Sequence, residues 1–184
     1  MKSQPGAVDA GSAAEDFRLA MRFHAAGVAI VTVTSGRGTA GFTVSSLASL
    51  SLRPPAVSFN IAHRSSSMPV LQASDTAVIH LLSAGQEELA RRFSGPADER
   101  FADRSLWRRS AGSVPVLHDV PVRFHVRLVD RIPIGDHSVV VCAVEQVFAD
   151  HADLPASRPL VYRDGCYQEV SPLVRQNPGS NRTL

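Results

Sequence analysis

The densest run of reactive groups in the sequence is Asn60-Ile61-Ala62-His63-Arg64-Ser65-Ser66-Ser67. It offers a guanidinium, an imidazole and three hydroxyls. Ser67 stands where a short helix holding Pro69 can open, so free N–H groups of a helix start join the set. A phosphate monoester takes that combination of donors, while a polar loop capped by Ser67 accounts for the same residues without a ligand. Thr43-Val44-Ser45-Ser46 puts hydroxyls on alternate faces of a strand, suited to the edge of a polar ring or to solvent. Arg91-Arg92-Phe93-Ser94-Gly95 ends a helix, where arginines favour the helix dipole with or without a ligand. Gly135-Asp136-His137 sets an imidazole beside a carboxylate. That pairing serves acid–base work, and turn chemistry alone also produces it.

Other chemistries are excluded. The seven histidines form no HxxxH and no carboxylate cluster, so no metal site is expected. There is no GxSxG. Cys142 and Cys166 make neither CxxC nor a zinc pattern, and Cys142 sits among valines as a core residue. Gly36-Arg37-Gly38-Thr39-Ala40-Gly41 spells GxGxxG after a strand. A dinucleotide loop, however, needs a helix next and an acid about 20 residues on. Here FTVSSLASLSL and a Pro-Pro follow, with no carboxylate in reach, so a hairpin turn explains these glycines.

Charge placement sharpens the picture. No carboxylate lies between Asp16 and Asp75, whereas Arg18, Arg22, Arg37, Arg53 and Arg64 do. Such a segment suits a phosphate-bearing ligand, or else a buried sheet. Net charge is only +2, from 19 basic and 17 acidic residues, which excludes a general nucleic-acid binder. With 184 residues, 44% of them hydrophobic, the chain can bury one core. Its most apolar stretch, Ala25 to Val33, is too short for a bilayer, so no membrane partner is expected. The opening MKSQPGAVDAGSAAED has no apolar h-region, and a reduced, cytoplasmic setting is expected. Asn181-Arg182-Thr183 therefore matches a glycosylation sequon without consequence.

The elements that must position these residues follow from periodicity and punctuation. Residues 1–11 are expected to be a flexible leader, 12–170 the domain, and 171–184 a flexible tail. Ser12 and Glu15 form a capping box for a helix over 13–25. Strands are expected at 28–34, at 39–50 after a turn at 35–38, and at 56–61 after the Pro-Pro. Ser67 caps a short helix reaching Ser74, and 76–82 is a further strand. Ser83 and Gln86 cap a helix through Phe93, supported by Glu87–Arg91 and Glu88–Arg92 pairs. A loop carrying Trp107 runs to Pro121. Strands over 122–131 and 137–150 turn at 133–135, and 159–170 closes as a hairpin over Asp164-Gly165. Many strands, few helices and short links make a mainly β fold, an antiparallel barrel with peripheral helices.

Taken in order, GFTVSSLASLSLRPPAVSFNI, HRSSSMPVL, ELARRFSG, VPVL, GDHSVVVCAVEQV and PLVYRDGCY resemble the flavin reductase family, whose fold is the FMN-binding split barrel. The resemblance covers about Phe17 to Val170. It implies an NAD(P)H-dependent flavin reductase that passes hydride from NADH or NADPH to FMN, or to FAD. It also implies a homodimer supplying reduced flavin to a separate flavin-dependent monooxygenase. Thr43, Val44, Ser45 and Ser46 would meet the isoalloxazine edge and ribityl chain. His63, Arg64, Ser65 and Ser66 would take up the phosphate region, Asn60 would be a further cofactor-binding residue, and Phe93, Ser94 and Gly95 would close over the flavin. His137 would lie near the nicotinamide, and Tyr162 and Tyr167 on the far wall of the barrel or dimer. Two other readings fit the same barrel: a non-catalytic flavin- or haem-binding module, and a deazaflavin-dependent oxidoreductase.

Overall fold

The computed structural model describes residues 10–109, 114–149 and 157–171. Its centre is a seven-stranded antiparallel sheet of order β3-β2-β6-β9-β10-β5-β4. The strands are β2 (Ala29–Ser35), β3 (Gly38–Val44), β4 (Ala48–Leu52), β5 (Pro55–Ala62), β6 (Thr76–Leu81), β9 (Val122–Ile134) and β10 (His137–Ala149). A small sheet joins β1 (Ala26–Gly27), β11 (Leu160–Arg163) and β12 (Cys166–Glu169), and β7 (Trp107–Arg109) pairs with β8 (Pro115–Leu117). Helices α1 (Ala10–Met21), α2 (Met68–Gln72) and α3 (Glu87–Ser94) lie outside the strands.

β2 shows how the sequence builds this. AIVTVTS is rich in β-branched residues and is buried on both faces, so polarity does not alternate along it. Ala29, Val31 and Val33 face a core shared with Phe42, Phe59, Ile79, Val126, Val140 and Cys142. Ile30 faces a second cluster holding Leu82, Ala90, Phe93, Trp107, Leu117 and Leu160, covered by α3 and the β7–β8 hairpin. Each fully buried side chain of the size of Phe59 or Ile79 contributes about 1.5–3 kcal/mol to folding. Burial in the first core pushes the Cys142 thiol up to about 12, so it stays protonated.

Polar groups in this double-sided arrangement are satisfied internally. The Thr32 hydroxyl donates to the Pro115 carbonyl at 2.6 Å. His80, fully buried on β6, pairs its Nδ1 with the Ile30 carbonyl at 3.2 Å and accepts the Leu117 N–H on Nε2 at 3.1 Å. One neutral imidazole thereby ties β6 to β2 and β8. Desolvation holds its pKa down at about 3.

The mainly β, antiparallel expectation is met, but the sheet curls without closing: β3 and β4 remain its two edges. Several boundaries differ from expectation. Helix α1 begins at Ala10, two residues before Ser12, so Ser12 does not start it. The strand expected over 39–50 is two strands, β3 and β4, which take opposite edges of the sheet. Ser67 makes no side-chain cap. Its backbone is helical, and its hydroxyl instead accepts from Arg100 at 3.0 Å. The region read as loop around Trp107 holds a short 3-10 turn and the β7–β8 hairpin, with Trp107 buried. The long hairpin turns at Gly135-Asp136, so Pro133 remains in β9. Asp164 and Gly165, at φ 53° and 80°, make the expected tight turn. Ser83 donates its N–H to Gln86 Oε1 at 3.0 Å, while of the two helix pairs Glu87–Arg91 is joined, at 2.6 Å. The expected leader and tail fall largely outside the described residues.

Candidate active site

Because the sheet fails to close, the ends of β3 and β5 face each other across a gap. The Ser46 hydroxyl links them, accepting the Asn60 N–H at 2.8 Å and donating to the Asn60 carbonyl at 3.5 Å. The gap opens into a cleft of about 460 Å³. Phe42, Val44 and Ile61 line it from the core side, and Phe93 from α3. Ser45, Ser46, Asn60, Ser65, Ser94, Arg100 and His137 supply its polar rim. Among the described residues no carboxylate lines the cleft, because the acid-free stretch of the chain folds around it. An apolar wall with a rim of hydroxyls and cations suits a flat ring carrying an anionic tail.

Helix α3 is held against the cleft by three devices. Thr43 donates its hydroxyl to the Ala90 carbonyl at 2.7 Å, which commits that hydroxyl to the scaffold. Gly41 gives Phe93 and Phe101 room: a Cβ there would stand 2.6 Å from the Phe93 ring and 2.8 Å from the Phe101 ring. Arg100 donates to the Gly95 carbonyl from Nε at 3.0 Å and from Nη2 at 2.7 Å. Its Nη1 reaches the Gly41 carbonyl at 2.9 Å and the Ser67 hydroxyl at 3.0 Å. All three acceptors are neutral, so among the described residues the guanidinium charge at the cleft stays uncompensated. Partial burial moves the Arg100 pKa below the ordinary arginine value.

His137 sits at the mouth, about half exposed. Its Nδ1 pairs with Asp136 Oδ1 at 2.8 Å, which leaves Nε2 available. That hydrogen bond is the main reason the Asp136 carboxyl lies below its ordinary range. Gly135, at φ 58°, allows the tight turn, and the His63 N–H donates to the Asp136 carbonyl at 2.9 Å. The β9–β10 turn is thus fastened to the end of β5.

Of the residues singled out in sequence, the fold brings Thr43, Val44, Ser45, Ser46, Asn60, Ser65, Phe93, Ser94 and His137 to this one cleft. His63, Arg64, Ser66 and Gly95 do not line it. The His63 ring instead lies 3.0 Å from the Ser138 hydroxyl, and the Gly95 carbonyl serves Arg100. Arg100 escaped sequence reasoning, because its partners Gly41 and Ser67 lie far away in the chain and carry no charge. A second hollow of about 290 Å³ shares Thr43, Ser45 and Ser94 with the cleft. Arg91, Tyr162 and Tyr167 wall it, with Arg91 over the Tyr167 ring at 5.0 Å.

With this geometry in place, comparison with known proteins is specific. Residues 21–171 match the flavin reductase like domain. The chain is 48% identical over 163 residues to an NADH:FMN oxidoreductase of Rhodococcus qingshengii, covering 89% of this chain and 85% of that protein. A flavin reductase domain protein of Arthrobacter sp. FB24 superposes with a TM-score of 0.80 at 33% identity, covering 89% and 99% of the two chains. A nitrilotriacetate monooxygenase component B homologue from Mycobacterium thermoresistibile gives 0.78 at 28% identity, covering 89% and 90%. The chain belongs to the flavin reductase like family.

Proposed function

We propose that this chain is an NADH-dependent FMN reductase that delivers reduced flavin to a separate monooxygenase. The observation that carries the reading is the cleft between β3 and β5, lined by no carboxylate among the described residues, with its apolar wall and cationic, hydroxyl-rich rim. The 48% identical relative named for NADH and FMN supports the choice of substrates, and the monooxygenase component homologue supports the partner.

The donor set fits a flavin mononucleotide. Phe42, Val44, Ile61 and Phe93 offer the isoalloxazine an apolar wall, and Ser45, Ser46 and Asn60 offer its polar edge and the ribityl chain hydrogen bonds. Ser65, with Arg64 beside it and Arg100 across the rim, supplies what the phosphate needs. A flavin held there would supply, together with the reduced nicotinamide, the hydride-transfer chemistry, which belongs to the two cofactors. The chain's own residues orient and shield. Phe93 on α3 closes one wall against water, and Asp136 fixes the His137 ring so that Nε2 meets the nicotinamide nucleotide at the mouth. No side chain need act as a nucleophile.

The reading extends to a homodimer in the cytoplasm. Among the described residues no helix is long and apolar enough to cross a membrane. The test is oxidation of NADH by purified protein, followed by loss of nicotinamide absorbance, with FMN, FAD or riboflavin added in turn and NADPH as the alternative donor. Turnover dependent on both protein and FMN, fastest with NADH, is expected. Tight flavin binding with no turnover from any pair would overturn it in favour of a binding module.

A further inference from the structure

Another cavity, of about 400 Å³, lies between β6, β9 and β10 and the β7–β8 hairpin and shares no lining residue with the cleft. Its floor is apolar: Val78, Val114 and Val116 form a buried cluster there. Arg108, Arg123 and His125 reach it from two elements. Strand register explains the convergence, since His125 stands opposite Val78 on β6 and Gln146 on β10, and Arg123 opposite Phe148. A bulge between Val144 and Gln146 leaves Glu145 without a partner residue. Phe148 backs the basic groups, with the Arg123 guanidinium 4.5 Å and the His125 ring 4.9 Å from its ring centre.

The charge arrangement is unbalanced. Among the described residues Glu145 is the one carboxylate lining the cavity, and Arg127 already holds it at 3.3 Å. Neither Arg108 nor Arg123 has a carboxylate partner among the described residues. Among the described residues the buried Arg123 Nε has no hydrogen-bond acceptor. Burial and then Arg108 lower the Arg123 pKa. Burial, Arg123 and Arg108, in that order, lower that of His125.

We propose that this cavity is a binding site for a small aromatic carboxylate, separate from the flavin cleft, with Arg108 and Arg123 taking the carboxylate and the valine floor taking the ring. Two guanidiniums match the two oxygens of a carboxylate, and the volume falls within the range of about 300–1,000 Å³ usual for small-molecule sites. The site stands on residues that play no part in the flavin cleft, so it does not depend on the reductase reading.

Titration calorimetry of the full chain at fixed ionic strength tests it, using benzoate, neutral benzamide and inorganic phosphate as probes. Saturable binding of benzoate is expected, weakened at least about tenfold in Arg108→Gln and in Arg123→Gln, with benzamide and phosphate both weaker. Unchanged NADH oxidation with FMN in both variants shows that the fold and the cleft persist. Arg108 is exposed, so its variant carries the test should Arg123→Gln fail to fold. Absence of saturable benzoate binding, or binding unaltered by both substitutions, overturns the proposal. So does phosphate binding as tightly as benzoate, which would reduce the cavity to a patch of positive charge.

Discussion

At the scale of single residues, the reductase reading asks little covalent chemistry of the protein and much positioning. His137 illustrates it: Asp136 holds its Nδ1 at 2.8 Å, so only Nε2 can meet a ligand at the cleft mouth. His137→Ala should weaken nicotinamide binding or slow hydride transfer, by about tenfold, the size of one lost hydrogen bond to a charged or strongly polar group, while leaving FMN affinity intact. Stopped-flow flavin reduction with a parallel FMN titration separates the two effects, and unchanged kinetics for both substrates would remove His137 from the site. Arg64 poses a different question. It adjoins Ser65 on the rim without lining the cleft itself, whereas Arg100 lines it directly. If Arg64 reaches the phosphate, Arg64→Ala weakens FMN by about tenfold and riboflavin hardly at all. Equal losses for both flavins would leave the phosphate to Arg100.

At the scale of elements, the cleft depends on how α3 meets β3. Gly41 is the contact point, and a methyl there would collide with two aromatic rings, one of them fully buried. Gly41→Ala should destabilise the protein by about 1–3 kcal/mol and raise the KM for FMN, because α3 carries Phe93 into the cleft wall. Unchanged melting temperature and KM would mean that the helix is free to shift. The β7–β8 hairpin hangs on the other side through His80. Its pKa is about 3 in the fold against 6.5 for a free histidine, so the unfolded chain takes up the proton first. The stability it contributes is complete above pH 6.5 and drains away as the pH falls towards 3, at about 1.4 kcal/mol per pH unit. Urea unfolding between pH 6.5 and 5 should lose about 2 kcal/mol from this group, and His80→Asn should flatten the slope. Parallel slopes would sink the assignment. These cases also show what was legible in sequence. Thr43, Ser45, Asn60 and His137 could be read because hydroxyls, amides and imidazoles signal chemistry by their type. Gly41, His80 and Arg100 could not, since their roles come from partners brought together by sheet pairing. The hydroxyl run after Phe42 reads as one strand, yet β3 and β4 part company there, and that break makes the open edge on which the cleft depends.

At the scale of the whole molecule, the unclosed sheet leaves apolar surface exposed. β4 is an edge strand with Leu50 and Leu52 outward, the latter 83% exposed. The far end of β9 presents Val129, Ile132 and Ile134, and around α1 stand Phe17 and Phe23, the latter 81% exposed. Single exposed apolar residues are ordinary, but an apolar strand at the edge of the sheet, unpaired on its outer side among the described residues, invites a partner. A second copy of this chain is the expected occupant. Each copy offers the same edge, and a two-fold axis lets one apolar surface cover its own duplicate. Light scattering should therefore give twice the mass of the 184-residue chain. Leu52→Asp and Ile134→Lys should each shift the population towards monomer, since either would bury an unpaired charge in the contact. The activity of those variants adds a second reading. A fall in NADH oxidation in step with the loss of dimer, reversed by raising protein concentration, would mean that the cleft at the end of β3 and β5 needs the second copy. Full activity in a stable monomer would show that one chain holds the flavin alone, and a wild-type protein that runs as a monomer at all concentrations would end the dimer proposal.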